Sequence, residues 1–201
     1  MIEQILTILI VFAAPLPWWL ILMHLAAQKK RIFFRFIAYP SIAIAWLILG
    51  YAASISGKTL FASQFQSSLG IQLLGVSLFI VALIIDWQVV RALGFKRLSC
   101  LRELQKDGTP GQLVTTGIYR YARHPRYVEY LFWSLGFGLV FGYQFLLWFA
   151  LYLFLGFWLA SYFEEAELVQ RFGQAYVDYQ GRVPRFFIRF SPSESSGPTQ
   201  G

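Results

Sequence analysis

Five apolar runs divide the chain, and polar or basic residues separate each run from the next. The runs are Gln4 to Ala27, Phe36 to Ile55, Leu69 to Val90, Tyr127 to Phe141 and Phe145 to Phe163. The first three are about 20 residues long, which is the length that an α-helix needs to cross the hydrocarbon core of a bilayer. We therefore predict an all-α integral membrane protein with five transmembrane helices.

Prolines and glycines add detail to this prediction. Pro15 and Pro17 interrupt the first run and predict a kink, because proline removes a backbone hydrogen bond. The joint Gly142-Tyr143-Gln144 is so short that the last two helices must form a tight antiparallel hairpin. Small residues spaced four positions apart let membrane helices approach closely. On the two arms of the hairpin these residues are Gly138, Gly142, Gly156 and Ala160.

The pattern changes after Phe163, where three glutamates precede apolar residues at helical spacing. The glutamates are Glu164, Glu165 and Glu167, and the apolar residues are Leu168, Phe172, Tyr176 and Tyr179. This predicts a separate cytoplasmic amphipathic helix that begins at the glutamates. We thus divide the chain into three membrane helices (1–90), a core with the hairpin (91–190) and a disordered tail (191–201) rich in Ser, Pro and Gly.

Composition and charge support the membrane class and predict an orientation. The 201 residues are 57% hydrophobic and 13% charged, with a net charge of +7. The basic residues flank the apolar runs, which indicates topology signals and not a nucleic-acid surface. With five spans, every basic residue except Lys58 lies on one side, which places the N-terminus outside and the C-terminus in the cytoplasm. A bacterial inner membrane or an endoplasmic reticulum would fit. The single Cys100 excludes a Cys-rich metal site, and we predict no metal.

Two ionisable residues lie near the inner ends of the first and third runs. His24 is a candidate ligand or proton relay, or a hydrogen-bonded packing residue. Asp86 is a functional candidate because a carboxylate is costly inside a membrane, or it pairs with a nearby arginine such as Arg91.

Polar chemistry is densest between Gly117 and Tyr127, which hold three arginines, three tyrosines and His124. Pro125 favours extended geometry at His124 and suits the first helical position, so a helix should begin near Arg126. His124 would then lie beside free backbone N–H groups that favour an anion. The alternative is a cationic anchor for phospholipid headgroups.

The two polar regions together resemble the isoprenylcysteine carboxyl methyltransferase family and its bacterial and phospholipid-methylating relatives. The resemblance covers roughly Gln105 to Phe187. Its residues are Gln112-Leu113-Val114-Thr115-Thr116-Gly117-Ile118-Tyr119, Arg123-His124-Pro125-Arg126-Tyr127, Glu164-Glu165, Phe172-Gly173-Gln174-Ala175-Tyr176, Tyr179 and Arg182-Val183-Pro184.

The resemblance implies an enzyme that transfers a methyl group from S-adenosyl-L-methionine to a lipophilic acceptor or membrane lipid. The acceptor would be an isoprenoid, a prenylcysteine-like carboxylate or a phospholipid amine. Glu164 would hold the cofactor ammonium, and Arg126 at the helix start its carboxylate. The matching cofactor-binding positions are Gln105, Gly111, Gln112, Leu113, Val114, Tyr119, His124, Pro125, Arg126, Tyr127 and Glu164.

The sequence departs from the family pattern at two positions. Ala160 stands where carboxyl-methylating members have a basic residue, and Glu129 replaces a small residue. Glu129 either pairs with Arg126 or faces the acceptor as a proton-accepting catalytic residue, with Arg126 as the second catalytic candidate. We expect Glu167 to lie on a solvent-exposed turn of the predicted amphipathic helix. The rival hypothesis is a non-catalytic transporter or assembly factor that retains the methyltransferase fold.

Overall fold

The computed structural model describes residues 2–28, 32–94 and 113–186, and these residues are helical apart from short connections. The all-α prediction is therefore confirmed for this part of the chain. The tail at 191–201 and residues 95–112, which include the candidate residues Gln105, Gly111 and Gln112, lie outside the described residues. The helices are α1 (Ile2–Ala13), α2 (Leu16–Gln28), α3 (Ile32–Leu60), α4 (Leu69–Leu93), a 3₁₀ helix (Gly117–Arg120), α5 (Pro125–Phe141), α6 (Gln144–Phe172) and α7 (Gln174–Arg182).

Three helical stretches of the described chain are long and apolar enough to cross a membrane. They are Ile2–Leu25, which joins α1 to most of α2, together with Leu69–Leu93 and Gln144–Phe172. Pro40–Ala53 in α3 is a shorter apolar stretch, and α5 has 17 residues. Large apolar side chains such as Leu47, Leu69 and Trp148 are exposed on the outside of the bundle. These features define a membrane protein, while the count of five spans stays a prediction.

The predicted kink in the first span is a break between α1 and α2 at residues 14 and 15. A break in a helix leaves backbone carbonyls without their helical donors, and such groups need other partners in a membrane. The hydroxyl of Tyr152 on α6 donates to the carbonyl of Ala14 at 2.5 Å. Gly156 lets Pro17 pack directly on α6, because a β-carbon at residue 156 would lie 2.7 Å from the Pro17 side chain. The kink is thus docked onto α6.

Glycines also allow α4 and α5 to pack closely. A β-carbon at Gly75 would lie 2.7 Å from the Val140 side chain and 2.9 Å from the carbonyl oxygen of Gly136. A β-carbon at Gly136 would lie 2.8 Å from Phe79. Close approach through small residues is a common source of helix association in membranes. This crossing positions the start of α5 beside the end of α4.

The hairpin of α5 and α6 forms as predicted, and Gly142 caps α5 with a left-handed φ of 73°. Gly138 faces α6, since a β-carbon there would lie 2.8 Å from Leu147. Backbone hydrogen bonds join the hairpin tip to the loop after α3, from Phe65 N to Gly142 O at 2.9 Å and from Gln144 N to Ser63 O at 3.2 Å. The loop after α3 and the hairpin tip therefore lie at the same end of the molecule.

The prediction of a separate helix that begins at Glu164 is wrong. The last apolar helix does not end at Phe163, because α6 continues without interruption to Phe172. No glycine or proline lies between these two positions, and the break comes at Gly173, where φ is 58°. Glu164 and Glu165 therefore occupy the interior of a long helix and not a first turn. The short helix α7 follows the break.

Candidate functional site

A cavity of about 310 Å³ opens between α2, the start of α5 and the C-terminal half of α6. This volume falls at the lower end of the range typical for small-molecule sites. Residues of α2 supply an apolar wall, and α5 and α6 supply charged and aromatic groups. The lining residues are Leu16, Trp19, Leu20, Met23, His24, Leu93, Tyr119, Arg123, His124, Pro125, Arg126, Tyr127, Tyr130, Phe157 and Glu164.

Six of the predicted cofactor-binding residues line this cavity. They are Tyr119, His124, Pro125, Arg126, Tyr127 and Glu164. Two other predicted residues, Leu113 and Val114, do not line it, and Leu113 packs against a cluster that contains Tyr176, Tyr179 and Val183. His124 and Glu164 are 40 positions apart in the sequence, and the hairpin of α5 and α6 brings them together.

The chain before α5 is shaped by local packing. Gly117 adopts a φ of 63°, which favours glycine, and starts the 3₁₀ helix. Ile118 is buried against Ile85 and Val89 of α4. The Tyr179 hydroxyl on α7 donates to the Tyr119 carbonyl at 2.6 Å. These contacts fix the approach to Pro125, which occupies the first turn of α5 as predicted.

His124 is buried between two glutamates of α6. Its Nδ1 atom lies 3.1 Å from Oε2 of Glu164, and its Nε2 atom lies 3.0 Å from Oε1 of Glu165. Ionised carboxylates only accept hydrogen bonds, so both ring nitrogens are required to donate, which defines an imidazolium. Burial alone would lower the pKa of His124, but the negative charges of Glu164 and Glu165 outweigh it and raise the pKa above its ordinary value.

One carboxylate oxygen of Glu164 contacts neighbouring side chains, and the residue also lines the cavity. The Tyr127 hydroxyl donates to Oε2 of Glu164 at 2.8 Å, and this same atom faces the His124 ring. Among the described residues no hydrogen bond reaches Oε1 of Glu164, and the side chain is 26% exposed. The carboxylate is therefore fixed on one side and available on the other.

Aromatic rings form a stack along this part of the cavity. The Tyr127 ring lies parallel to His124 with centroids 5.2 Å apart, and parallel to Phe157 with centroids 4.6 Å apart. Tyr119 lies nearby, and burial together with the charge of Glu164 raises the pKa of its phenol, so this hydroxyl remains neutral. The stack thus gives the cavity an aromatic lining beside the Glu164 carboxylate.

Sequence reasoning missed Glu165 as a site residue, although it was part of the quoted motif. Glu165 is buried and faces three cationic side chains: His124, Arg123 at 2.9 Å and Arg185 at 2.6 Å. Gln180 also donates to it, at 3.0 Å. The signal was present in the sequence as adjacent glutamates, but only the contacts across the fold show that the second one anchors the histidine.

The two catalytic candidates differ in their access to the cavity. Arg126 lines the cavity, and its Nη2 atom lies 3.5 Å from the Tyr130 hydroxyl. Glu129 is buried but does not line the cavity. It interacts electrostatically with Asp86 of α4, and its Oε2 atom has no hydrogen-bond partner among the described residues. No contact ion pair joins Arg126 to Glu129 within these ranges, although the two charges attract each other over a longer distance.

The two remaining ionisable residues have different surroundings. Nδ1 of His24 lies 2.6 Å from Oε2 of Glu167, which makes His24 a hydrogen-bonded residue and shows that the expectation of a solvated Glu167 is wrong. Asp86 forms no ion pair with an arginine of the described chain, and the Arg91 guanidinium lies 3.9 Å from the centroid of the Trp87 ring. Of the two alternatives for Asp86, the pair with an arginine is therefore not formed among the described residues.

The fold and the site define a class of helical membrane protein with a charged, aromatic cavity at one end of the helix bundle. A family model described as phospholipid methyltransferase matches residues 71–175, which is just over half of the chain. The chain therefore belongs to the phospholipid methyltransferase family, and the resemblance seen in the sequence is confirmed.

Curated proteins with similar sequences carry one name, protein-S-isoprenylcysteine O-methyltransferase. The protein of Schizosaccharomyces pombe is 44% identical over 73 residues, which cover 36% of this chain and 31% of the relative. The protein of Mus musculus is 37% identical over 81 residues, which cover 36% of this chain and 26% of the relative. The similarity thus spans less than a third of the length of these relatives.

Proposed function

We propose that the protein transfers a methyl group from S-adenosyl-L-methionine to a lipophilic acceptor that reaches the cavity from the membrane. The observation that carries this proposal is the Glu164 carboxylate, which faces the cavity with one oxygen held by His124 and Tyr127. Membership of a methyltransferase family supplies the reaction class.

The residues of the cavity fit the chemistry of this cofactor. A carboxylate with an available oxygen suits an ammonium group, and the Arg126 guanidinium suits a carboxylate. The aromatic side chains that line the cavity suit a sulfonium through cation–π attraction. When bound, the cofactor supplies a methyl group activated on a sulfonium. The expected roles of Gln105, Gly111 and Gln112 concern residues outside the described ranges, and they stay predictions.

The part of this chain in the reaction is to bind, orient and exclude water. Leu16, Leu20 and Met23 of α2 give the cavity an apolar wall, which suits a lipophilic acceptor. When the methyl donor and the acceptor are both bound, the rate of methyl transfer is raised mainly by their proximity and alignment and by the exclusion of water. Arg126 lines the cavity and is proposed to orient an anionic group. Glu129 faces α4, so we assign it no contact with the reacting atoms.

The class of the methyl acceptor can be determined by comparing candidate acceptors in one assay. The relatives are named for isoprenylcysteine, and the family for phospholipids. Ala160, where carboxyl-methylating members have a basic residue, is fully buried and offers no charge to a carboxylate. Prenylcysteine, an isoprenoid acid and an amine phospholipid are therefore three acceptors to test side by side.

The orientation proposal places the cavity on the cytoplasmic face, as the distribution of basic residues predicts. The loop that contains Ser63 packs on the hairpin tip. His124 and Glu164 lie towards the other end of the hairpin, far from its tip. A reporter fused after Gly201 should be cytoplasmic, and one inserted at Ser63 should face the other side. A cytoplasmic reporter at Ser63 would contradict the five-span topology.

The deciding experiment uses detergent-purified protein and radiolabelled S-adenosylmethionine. Binding should be saturable, and incubation with lipid extracts should yield a labelled lipid whose structure names the acceptor. Binding without any transfer across the three acceptor classes and the lipid extracts would favour the non-catalytic alternative. Absence of binding would overturn the proposal itself.

A further inference from the structure

Glu165 is the centre of a buried ionic cluster behind the cavity wall. The Arg185 guanidinium donates to both of its oxygens, from Nε to Oε1 at 3.1 Å and from Nη2 to Oε2 at 2.6 Å. His124 and Arg123 face Oε1 as well. Only 3% of Glu165 is exposed, and it does not line the cavity. Its contacts therefore cannot be explained by direct ligand binding.

The segment that carries Arg185 is attached to the same part of the chain by its backbone. Arg123 N donates to Pro184 O at 2.9 Å, and His124 N donates to Arg185 O at 2.9 Å. Phe186 packs near the His124 ring, with centroids 5.9 Å apart. Residues 183–186, which we call the strap, thus hold His124 by its backbone while Glu165 holds it by its ring.

We propose that Glu165 and Arg185 are positioning residues: Glu165 holds His124 as an imidazolium against Glu164, and Arg185 fixes the Glu165 carboxylate in place. The two-sided contact gives the ring one orientation, with Nε2 on Glu165 and Nδ1 on Glu164. The held ring in turn keeps Oε2 of Glu164 occupied and its other oxygen available to the cavity. The consequence for the cofactor rests on the proposed function, while the positioning of His124 does not.

Glu165 and Arg185 are expected to shift the pKa of His124 in opposite directions. The Glu165 carboxylate stabilises the imidazolium, whereas the Arg185 guanidinium competes for that carboxylate and repels the ring charge. Several other groups face this site from the elements packed around it. They are Glu164 on α6, Tyr119 and Arg123 before α5, Arg126 and Tyr127 on α5, His24 on α2, and Tyr176 and Gln180 on α7.

The test is a pH titration of the two histidines by ¹⁵N NMR in detergent, with the signals assigned through a His24→Gln variant. In Glu165→Gln the midpoint of His124 should fall by about one pH unit or more. In Arg185→Ala it should rise, and in Arg185→Lys it should stay near the wild-type value. Asp178→Asn, which changes an exposed carboxylate on α7, is the matched control and should leave His124 unchanged.

Opposite shifts distinguish positioning from a general structural role. If the two residues only supported the fold, both variants would expose His124 to water and move its midpoint in the same direction, towards that of an ordinary histidine. That result, or an unchanged midpoint in Arg185→Ala, would overturn the proposal. Arg185 is a quarter exposed, so Arg185→Ala decides the question even if Glu165→Gln does not fold.

Cofactor affinity, measured by calorimetry on the same variants, tests the consequence. Glu165→Gln should weaken S-adenosylmethionine binding about 10-fold, because Glu164 loses its oriented partner, and Arg185→Lys should restore most of what Arg185→Ala loses. An unchanged affinity in Glu165→Gln would remove the link to the cofactor. If the wild-type protein bound no cofactor, the proposed function would fail, while the NMR result would still decide the positioning of His124.

Discussion

Nδ1 of His24 on α2 lies 2.6 Å from Oε2 of Glu167 on α6. This pair joins the helix that forms the apolar wall of the cavity to the helix that carries Glu164. Both side chains are partly buried, with 14% and 21% exposed. The contact lies one helical turn from Glu164, so it sets the distance between α2 and the charged half of the site.

Removing this pair should destabilise the protein measurably. His24→Ala or Glu167→Gln should each lower the free energy of unfolding by about 1.5 to 3 kcal/mol, the range for hydrogen bonds to charged groups. The double variant should cost clearly less than the sum, because both changes remove one interaction. Thermal unfolding in detergent measures all three. Strictly additive losses would show that the two residues do not stabilise the fold through each other.

The crossing of α4 and α5 gives a second prediction, with a control in the same helix. Gly75→Ala should destabilise the fold by about 1 to 3 kcal/mol, because the new methyl group would meet the Gly136 carbonyl oxygen at 2.9 Å. Gly70→Ala has nothing within 4 Å of the added carbon and should be neutral or slightly stabilising. The comparison is made by unfolding in detergent. Equal effects at the two positions would contradict the close crossing.

Local patterns predicted the elements better than they predicted the contacts. The prolines at 15 and 17 and the short joint at 142–144 act on their own backbone, so the kink and the hairpin could be predicted from the sequence. The helix boundary at Glu164 could not, because a change from apolar to charged residues marks a change of surroundings and does not break a helix. α6 ends where Gly173 allows it to end.

In the site, too, the residues could be predicted from the sequence better than their contacts. The motif brought His124, Tyr127 and Glu164 together in sequence reasoning, and the hairpin brings them together in the structure. Glu165 and Glu167 have the same chemistry as Glu164, and only the helix direction decides that they face Arg185 and His24. For Glu129 the sequence left two alternatives, a pair with Arg126 or a place beside the acceptor, and in the structure it lies near Asp86 of α4. Which neighbour a carboxylate meets depends on packing that a single sequence does not encode locally.

The raised pKa of His124 predicts how stability depends on pH. The folded state binds this proton more tightly than the unfolded state, whose histidine pKa is about 6.5. The stabilisation is therefore fully present below that value and is lost as pH rises through the folded-state pKa. Between the two, the free energy of unfolding should fall with pH by at most about 1.4 kcal/mol per unit.

The measurement is unfolding in detergent at a series of pH values from about 6 to 9, for the wild type and for His124→Gln. The variant should lose this slope, since it cannot take up the proton. His24→Gln serves as the control for the second histidine and should retain the slope. If the stability of the wild type depended on pH in the same way as that of His124→Gln, the imidazolium assignment would be contradicted.

Glu164 is the residue on which the proposed function depends most directly. If its available oxygen holds the cofactor ammonium, Glu164→Gln removes a charge-assisted hydrogen bond. The loss should be about 2 to 4 kcal/mol of affinity, on the order of 30-fold to 1000-fold. Tyr127→Phe removes only a neutral donor to the same carboxylate and should cost less, about 2-fold to 10-fold.

The matched control for Glu164 must be a carboxylate that makes no contact with the cavity or with a residue that lines it. Glu167 does not qualify, since it pairs with His24, whereas Asp178 is exposed and bonds Gln174 within α7. Asp178→Asn should therefore leave affinity unchanged. Calorimetry gives the affinities, and circular dichroism checks that each variant keeps its helical content. A loss in Glu164→Gln no larger than in Asp178→Asn would remove Glu164 from the cofactor site and leave it as a partner of His124 alone.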